Sequence, residues 1–249
     1  MKKIIGVIPS RWGSTRFPGK SLAMLLGKPM VQWVIERVNQ AKKLDAVWVA
    51  TDDPRIADCV NQLNIPNVQV AMTRSDHPSG TDRIAEAIKE IDADAIINIQ
   101  GDEPLIDPAL IDQLAEQISN DEWDMVTAAT PITTLEEMND PSVVKVVFNR
   151  QGKALYFSRA TIPYIRDPQS PPDPSIYWRH IGIYAYRRDY LLRLVAQPPC
   201  SLEKLEKLEQ LRALDLGCNM SVIQTRDFGI GVDTPADVPK AEALLKKLH

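Results

Sequence analysis

The 249-residue sequence lacks the features that mark membrane proteins and disulfide-rich or zinc-stabilised folds. No stretch comes near the roughly 18 consecutive apolar residues that a membrane-spanning helix needs, and two N-terminal lysines lead directly into a short strand-like run. Cys59, Cys200 and Cys218 are odd in number and form no C-x-x-C pair. They indicate neither a disulfide framework nor a structural zinc site, and we expect a cytosolic protein with incidental thiols.

A basic excess is also missing, because the net charge is −4. Proteins that bind nucleic acid generally carry a basic face that neutralises many phosphates, so the balance argues against that class. The charge is unevenly distributed, however. The first 35 residues contain no acidic side chain and six basic ones: Lys2, Lys3, Arg11, Arg16, Lys20 and Lys28. This segment is expected to hold a compact anion.

Strand-like and helix-like patterns alternate through the first half of the chain. Apolar runs at 4–8, 46–50, 68–71 and 95–99 predict strands, and helical spacing of apolar residues at 30–41 and 83–91 predicts helices between them. Asp107 and Pro108 predict the start of a further helix, through an Asp cap followed by Pro in the first turn. The alternation predicts an α/β fold, with a mixed, mostly parallel sheet flanked by helices, in a single domain over 1–249.

The rhythm changes after Met125. Strand-like runs at 143–148, 154–157 and 181–186, separated by a proline-rich stretch at 163–174, predict an antiparallel insertion around 130–190 with a dimer surface. Leucine at every third position over 202–214 predicts one partly buried helix. A last apolar run at 229–232 ends at Asp233, before a helix that Thr234 and Pro235 are expected to open.

The loop at 11–20 resembles a Walker A loop, but its spacing is wrong. Five residues instead of four separate Gly13 from Gly19-Lys20, and Pro18 removes a backbone donor where amides should surround phosphate. Three cations, two glycines and the hydroxyls of Ser14 and Thr15 would nevertheless match a triphosphate. The alternative is a solvated basic turn.

Two aspartates follow apolar runs at expected strand ends. Asp102 comes after the run at 95–99 and Asp233 after the run at 229–232, at the sheet edge where open α/β proteins bind ligands. Magnesium takes one or two carboxylates together with water and phosphate oxygens, so the pair predicts a Mg²⁺ site. The alternative for each is helix capping, which is our interpretation of the similar pair Asp52 and Asp53.

Together these motifs resemble the 3-deoxy-manno-octulosonate (KDO) cytidylyltransferases, also called CMP-KDO synthetases. The opening loop is shared with many sugar nucleotidyltransferases, whereas the segments ALYFSR at 154–159 and RHIGIY at 179–184 are specific. The chain departs from the usual pattern at Ser10, Trp12, Phe17 and Ser21 without losing a charge or a metal ligand. The matching segments lie at 8–11, 14–20, 72–77, 79–83, 100–104, 145–147, 154–159, 179–184, 208–212 and 231–235.

The resemblance implies a Rossmann-like nucleotidyltransferase fold, a homodimer, and the Mg²⁺-dependent reaction of CTP with KDO to give CMP-KDO and pyrophosphate for lipopolysaccharide or other cell-surface glycan synthesis. It assigns Arg16, Lys20 and Asp102 to catalysis and Asp102 with Asp233 to the metal. The implied nucleotide-binding residues are Arg11, Arg16, Lys20, Arg74, Ser79, Gly80, Arg83 and Asp102. The implied sugar-binding residues are Gln100, Arg159, His180, Glu209 and Gln210, with Arg159 as the partner of the KDO carboxylate.

Two other functions remain open on the residues alone. The acceptor could be another acidic sugar, such as 8-amino-KDO or a sialic-acid-like acid, because a carboxylate-binding arginine does not distinguish 2-keto acids. The chain could instead be a nucleotide-binding module without turnover, although the metal carboxylates and the triphosphate cations occur together.

Overall fold

A computed structural model describes residues 2–13, 16–167, 173–226 and 231–247, and it contains a nine-stranded sheet with helices on both faces. The sheet order is β11-β7-β10-β6-β1-β4-β5, with β8 paired to β10 and β9 to β8. In chain order the strands are β1 (Ile4–Ser10), β2 (Met24–Leu25), β3 (Lys28–Pro29), β4 (Ala46–Thr51), β5 (Val68–Met72), β6 (Ala95–Asn98), β7 (Met125–Pro131), β8 (Lys145–Phe148), β9 (Ala154–Ser158), β10 (Trp178–Arg187) and β11 (Met220–Gln224).

The central strands run in one direction except β10, which is antiparallel to both β6 and β7. The prediction of a mixed, mostly parallel sheet is therefore confirmed. In chain order the helices are α1 (Met30–Val38), α2 (Pro54–Gln62), α3 (Gly80–Ala87), α4 (Pro108–Ile118), α5 (Leu135–Asn139), α6 (Arg188–Val195), α7 (Ser201–Glu206), α8 (Gln210–Asp215) and α9 (Val238–Leu245). Asp107 caps α4 as predicted, since its side chain accepts the Ala109 N–H at 3.0 Å.

Successive residues of β1 are buried on opposite faces of the sheet. Ile4 and Ile8 belong to one core, which α1, α2 and α4 cover, while Ile5 and Val7 belong to the other, beneath α3, α6 and α8. Side chains alternate across a strand, so a strand covered on both faces must be continuously apolar. The same requirement explains the apolar run of β6, whose four residues are all buried.

A third, smaller core places the C-terminal segment beside the end of β6. It is formed by Leu25, Met30, Trp33, Val232, Ala241 and Leu245. The backbone N–H of Val232 donates to the carbonyl of Asp102 at 2.8 Å. Asp233 is thereby held next to Asp102 although 131 residues separate the two in sequence.

The predicted single helix over 202–214 is wrong, because the structure breaks it into α7 and α8. Lys207 between them adopts a left-handed conformation with φ of 54°. Leu208 and Leu211 are buried, whereas Leu205 of α7 is 80% exposed, so one straight helix would not give the leucine row this burial. The Arg212 guanidinium donates to both carboxylate oxygens of Glu203, at 2.8 and 2.6 Å, and so joins the two helices.

Two strands of the main sheet were not predicted, namely β7 and the edge strand β11. The sequence of β7 is MVTAATP. Its first six residues are buried, but Ala and Thr interrupt the run of large apolar side chains that would indicate a buried strand. The predicted strands at 143–148, 154–157 and 181–186 are present as β8, β9 and β10, and β10 lies within the main sheet. Residues 229 and 230 of the last predicted run lie outside the described residues, and residues 231 and 232 belong to no strand, so the predicted strand before Asp233 is wrong over its described part. Within the described ranges, no helix combines the length and apolar character needed to cross a membrane.

Gly101 allows β1 and the segment after β6 to approach closely at the sheet edge. A Cβ at this position would lie 2.8 Å from the Pro9 carbonyl oxygen, which is backbone and has little freedom to move. We expect Gly101→Ala to lower the free energy of unfolding by about 1–3 kcal/mol through overpacking, measured by urea denaturation. Gly13→Ala is the control, because nothing lies within 4 Å of its added Cβ. Equal stability of the two variants would contradict this close packing.

Candidate active site

The carboxyl ends of β1 and β6 open onto a cavity of about 230 Å³, the position where open α/β sheets bind ligands. Most of the residues predicted to bind nucleotide or metal line it: Arg11, Arg16, Lys20, Ser79, Gly80, Arg83, Asp102 and Asp233. Gln100 also lines it, as do five residues to which the sequence analysis gave no role: Pro9, Ser21, His77, Pro78 and Gly101. Ser14 and Thr15, whose hydroxyls were expected to contact the triphosphate, lie outside the described residues.

An ion cluster connects the first loop to Asp102, which follows β6, and to Asp233, which precedes the turn at Pro235–Asp237. The Lys20 ammonium contacts the Asp102 carboxylate directly and lies 3.5 Å from Asp233 Oδ1. Arg16 Nη2 donates to the same Asp233 oxygen at 3.1 Å. The side chains of Lys20 and Asp102 are only 17% and 26% exposed, so water screens this contact less than a surface ion pair. Arg16 and Asp233 are more exposed, at 67% and 52%.

The two aspartates fit the donor set of a magnesium site. Their carboxylates converge on one cationic group, the Lys20 ammonium, which occupies the kind of position that a bound metal ion would take. Among the residues that the structure describes, no three His, Cys, Asp or Glu side chains cluster as metal ligands. Two carboxylates suffice for magnesium when water and phosphate oxygens complete the shell.

Neither aspartate caps a helix in the way that the alternative interpretation required. The Asp237 carboxylate accepts the N–H and the hydroxyl of Thr234, at 2.8 and 2.9 Å, and so closes the turn at Pro235–Asp237. Thr234 thus takes the capping position that the sequence favoured. The Asp233 carboxylate instead faces Lys20 and Arg16.

Arg83 is a buried cation on the floor of this cavity, with a relative exposure of 2%. Its Nη1 donates to the Thr73 hydroxyl at 2.6 Å, and its Nη2 lies 3.3 Å from the Asp52 carboxylate. A buried charge requires such a partner, because desolvation is otherwise costly. The capping interpretation of Asp52 is therefore wrong. For Asp53 it is confirmed, since this side chain accepts the Arg55 N–H at 2.9 Å.

The N-terminus of α3 faces the cavity at Ser79 and Gly80. Ser79 caps the helix, since its hydroxyl accepts the Asp82 N–H at 3.2 Å and donates to the Asp82 carboxylate at 2.7 Å. Backbone N–H groups at a helix N-terminus attract negative charge. This end of the cavity therefore suits an anionic or strongly polar ligand.

Arg74 is placed elsewhere by the structure. Its guanidinium is 68% exposed, lies 3.6 Å from Asp76 and 3.7 Å from Glu86, and borders a separate hollow on the outer side of α3. His77 lines both that hollow and the main cavity, and its ring contacts the Glu86 carboxylate. Arg74 therefore does not line the first cavity, unlike the other residues predicted to bind the nucleotide.

A second cavity continues from the first along β10 and is reached past Gln100, Asp102 and Asp233, which line both. His180 lies on its wall, and the Gln100 side-chain amide donates to the Gly182 carbonyl at 2.9 Å. The bulge in β10 between Ile181 and Tyr184 leaves that carbonyl turned toward the cavity rather than into the β7 ladder. Two of the predicted sugar-binding residues, Gln100 and His180, are therefore adjacent to the ion cluster.

His180 is held as a neutral ring. It packs edge-on against Phe157 and tilted against Tyr184, and its Nε2 lies 3.0 Å from the Thr127 hydroxyl. Burial lowers the pKa of His180 to about 3. The ring can exchange hydrogen bonds with a ligand but carries no charge near neutral pH.

Glu209 and Gln210 line a third cavity with Tyr184 and Tyr186. This cavity shares Gln100 and Gly80 with the first, and Gln100 borders all three. Burial raises the pKa of both tyrosines, so their hydroxyls stay protonated. The side-chain oxygen of Asn98, which also lines the cavity, is buried and has no hydrogen-bond partner within the described residues. A polar ligand would satisfy it.

Arg159 is set apart from these cavities as the described residues define them. Its Nε donates to the Glu206 carbonyl at 2.7 Å and its Nη1 to the Pro141 carbonyl at 3.0 Å. Nη2 lies 3.4 Å from the Lys207 carbonyl. The guanidinium therefore ties the break between α7 and α8 to the loop before β8. Its assignment to the sugar carboxylate remains a prediction.

Asp52 and Arg179 are the clearest omissions from the predicted site. Asp52 follows β4 at the same sheet edge as Asp102 follows β6, so the strand-end argument applied to Asp102 would also have found it. Arg179 lines the second cavity beside His180 and lies 3.4 Å from Glu137. Its position within the RHIGIY segment was the available signal.

Comparison with known sequences finds cytidylyltransferases both among family models and among individual relatives. A family model for cytidylyltransferases matches residues 5–220. The 3-deoxy-manno-octulosonate cytidylyltransferase of Syntrophotalea carbinolica is 50% identical over 98% of this chain and 99% of its own length. The protein of the same name in Geobacter sulfurreducens is 47% identical over the same shares.

Comparison with solved structures agrees. CMP:2-keto-3-deoxy-manno-octonic acid synthetase, solved as a complex with CTP, superposes with a TM-score of 0.92 at 43% identity, over 99% of this chain and all of the other. The 4-diphosphocytidyl-2C-methyl-D-erythritol synthase of Anaerococcus prevotii, at 13% identity over 98% of this chain and 99% of its own, shares the fold with a TM-score of 0.67. The chain thus belongs to the cytidylyltransferase family and, within it, to the 3-deoxy-manno-octulosonate cytidylyltransferases.

Proposed function

We propose that this enzyme transfers CMP from CTP to KDO and releases pyrophosphate. The observation that carries the proposal is the junction of two unlike cavities at Gln100 and Asp102. Arg11, Arg16, Lys20 and Arg83 line the first, whereas the second has a single cation, Arg179, among its described lining residues, together with His180, Ser142 and acidic side chains. A triphosphate matches the first and a polyhydroxylated sugar acid the second. The relatives named above, one of them solved with CTP, support this choice of substrates.

The leaving group would be held on the side of the first loop. Arg11, Arg16 and Lys20 line that part of the cavity and would neutralise the charge that accumulates on pyrophosphate as it departs. Buried Arg83 and the N-terminus of α3 would face the nucleoside end. The protein forms no covalent intermediate in this scheme, and its contribution is positioning and charge stabilisation.

Magnesium is the proposed cofactor, with Asp102 and Asp233 as its protein ligands. When bound there it would stabilise negative charge on the α-phosphate and acidify the attacking hydroxyl. Lys20 would then exchange its contact with the two aspartates for one with the triphosphate, and the carboxylates it now joins would remain compensated.

The acceptor would lie between the second and third cavities. Gln100 and His180 would contact it from one side and Glu209 and Gln210 from the other. Neutral His180 would serve as a hydrogen-bonding group and leave the sugar carboxylate to an arginine. We propose Arg159 as the partner of the sugar carboxylate. Its guanidinium would then have to give up its hydrogen bonds to the carbonyls of Pro141 and Glu206.

A homodimer is proposed as well, formed through the insertion around 130–190. Exposed apolar side chains near this part of the chain support it: Leu155 is 58%, Tyr164 87% and Leu205 80% exposed. Contiguous exposed apolar patches mark protein interfaces, whereas single exposed apolar side chains do not, so the proposal requires these three side chains to face the same partner surface. A cytosolic location is likewise part of the proposal.

The acceptor is tested by pyrophosphate release with CTP and magnesium across KDO, 8-amino-KDO and a sialic acid. We expect KDO to give the highest kcat/KM. Preference for another acid would keep the chemistry and change the acceptor. Release with none of them would contradict the enzyme assignment and favour a nucleotide-binding module.

Asp102→Asn should reduce kcat far more than it weakens CTP binding, by a factor on the order of 100 or more, because it removes a carboxylate ligand of the magnesium ion proposed to stabilise the reacting phosphate. Steady-state kinetics at saturating magnesium, with CTP affinity from calorimetry, would measure both quantities. Asp58→Asn, an exposed aspartate on α2, is the matched control. Unchanged turnover in Asp102→Asn would contradict the metal assignment.

Lys20→Met should bind a divalent cation more tightly than the wild type when no nucleotide is present. The substitution removes the ammonium that occupies the space between Asp102 and Asp233, together with its repulsion of a second cation. Electron paramagnetic resonance of Mn²⁺, used in place of Mg²⁺, would report the free ion directly. Equal or weaker Mn²⁺ binding in Lys20→Met would contradict the shared position of ammonium and metal.

A further inference from the structure

Trp12 contacts the far end of its own loop. The Gly19 N–H donates to the Trp12 carbonyl at 3.1 Å, which holds these two residues of the loop together. Gly19 has φ of +68°, and a Cβ there would lie 2.9 Å from indole atom Cη2. The indole thus covers Gly19, which is buried, and Lys20 follows directly after it.

The same indole carries a guanidinium on its ring. Arg55 Cζ lies 3.3 Å from the ring centroid, well within the range of a cation–π contact. Arg55 is itself held by Asp53, to which it donates from Nε at 2.9 Å and from Nη2 at 2.7 Å. Asp53 caps α2, so the guanidinium is fixed to the start of a helix.

The backbone of Trp12 is tied to a second element of the site. Its N–H donates to Asp52 Oδ1 at 3.4 Å, and the other oxygen of Asp52 faces the buried Arg83 at 3.3 Å. Arg11 precedes Trp12 and Lys20 follows Gly19 in the sequence, and both cations line the first cavity, where the triphosphate is proposed to bind. Trp12 therefore contacts the loop and Arg55 through its indole, and the Asp52–Arg83 pair through its backbone N–H.

We propose that Trp12 is a positioning residue for CTP, which clamps the loop between Arg55 and Gly19 so that Arg11 and Lys20 are placed before the triphosphate arrives. The inference rests on the proposed function, since it takes CTP as the ligand of this cavity. If the loop were free, its three cationic side chains would lose conformational entropy when the ligand binds, and this loss would weaken the affinity for CTP. In a clamped loop most of that entropy is already lost when the protein folds.

The experiment varies CTP at saturating KDO and magnesium and then varies KDO at saturating CTP. Trp12→Ala should raise the KM for CTP by at least about tenfold and leave the KM for KDO within about twofold. Trp12→Phe and Trp12→Tyr keep an aromatic face and should stay close to the wild type. Arg55→Met should raise the KM for CTP by about two- to fivefold, the size of a partly exposed cation–π contact.

Arg193→Met provides the matched control, because Arg193 lies over the Tyr190 ring at 5.3 Å on α6, away from the loop. It should leave both KM values unchanged. The melting temperature of each variant, measured by circular dichroism, identifies any loss of folding. If Trp12→Ala does not fold, the KM for CTP in Arg55→Met decides.

An unchanged KM for CTP in Trp12→Ala, or equal changes for both substrates, would overturn the clamp. Trp12→Phe as impaired as Trp12→Ala would do the same. These results presuppose an active wild type. Absence of pyrophosphate release by the wild type with CTP and any sugar acid would instead overturn the proposed function.

Discussion

The contact of Lys20 with Asp102 and Asp233 is the interaction on which the rest of the site depends. It joins three segments that are distant in sequence: the loop after β1, the end of β6 and the turn before α9. Two carboxylates facing the same point repel each other unless a cation lies between them. The fold supplies that cation from within, and the proposed reaction requires it to be exchanged for another.

The loop side of the site carries more positive charge than the acceptor side, where Arg179 lines the second cavity together with Asp102, Glu103 and Asp233. Arg11, Arg16 and Lys20 collect where a multiply charged leaving group would form. On the acceptor side burial keeps His180 neutral and keeps Tyr184 protonated. Hydrogen bonds orient the hydroxyl that attacks phosphorus, whereas fixed positive charge stabilises the departing pyrophosphate. The proposed reaction therefore places pyrophosphate on the side of the loop and the attacking hydroxyl on the side of His180.

Sequence patterns predicted the parts of the site that depend on local rules. The cation-rich loop, Asp102 after β6 and the caps at Asp53 and Asp107 each follow from a few neighbouring residues, whereas Asp233 lies beside Asp102 without a strand before it. The arrangement of the acceptor side does not. The left-handed Lys207, the bulge in β10 and the burial of β7 arise from packing between distant segments, and they place Glu209 and His180 in separate cavities. No periodicity in the chain reports such contacts.

The central claim is that the α-phosphate of CTP passes directly to the sugar acid at the Gln100–Asp102 junction. The most direct test follows CTP labelled with ³²P at the α-phosphate through a single turnover with KDO and magnesium. Direct transfer puts the label in CMP-KDO and leaves none in pyrophosphate. Label bound covalently to the protein, or recovered only as free CMP, would contradict it.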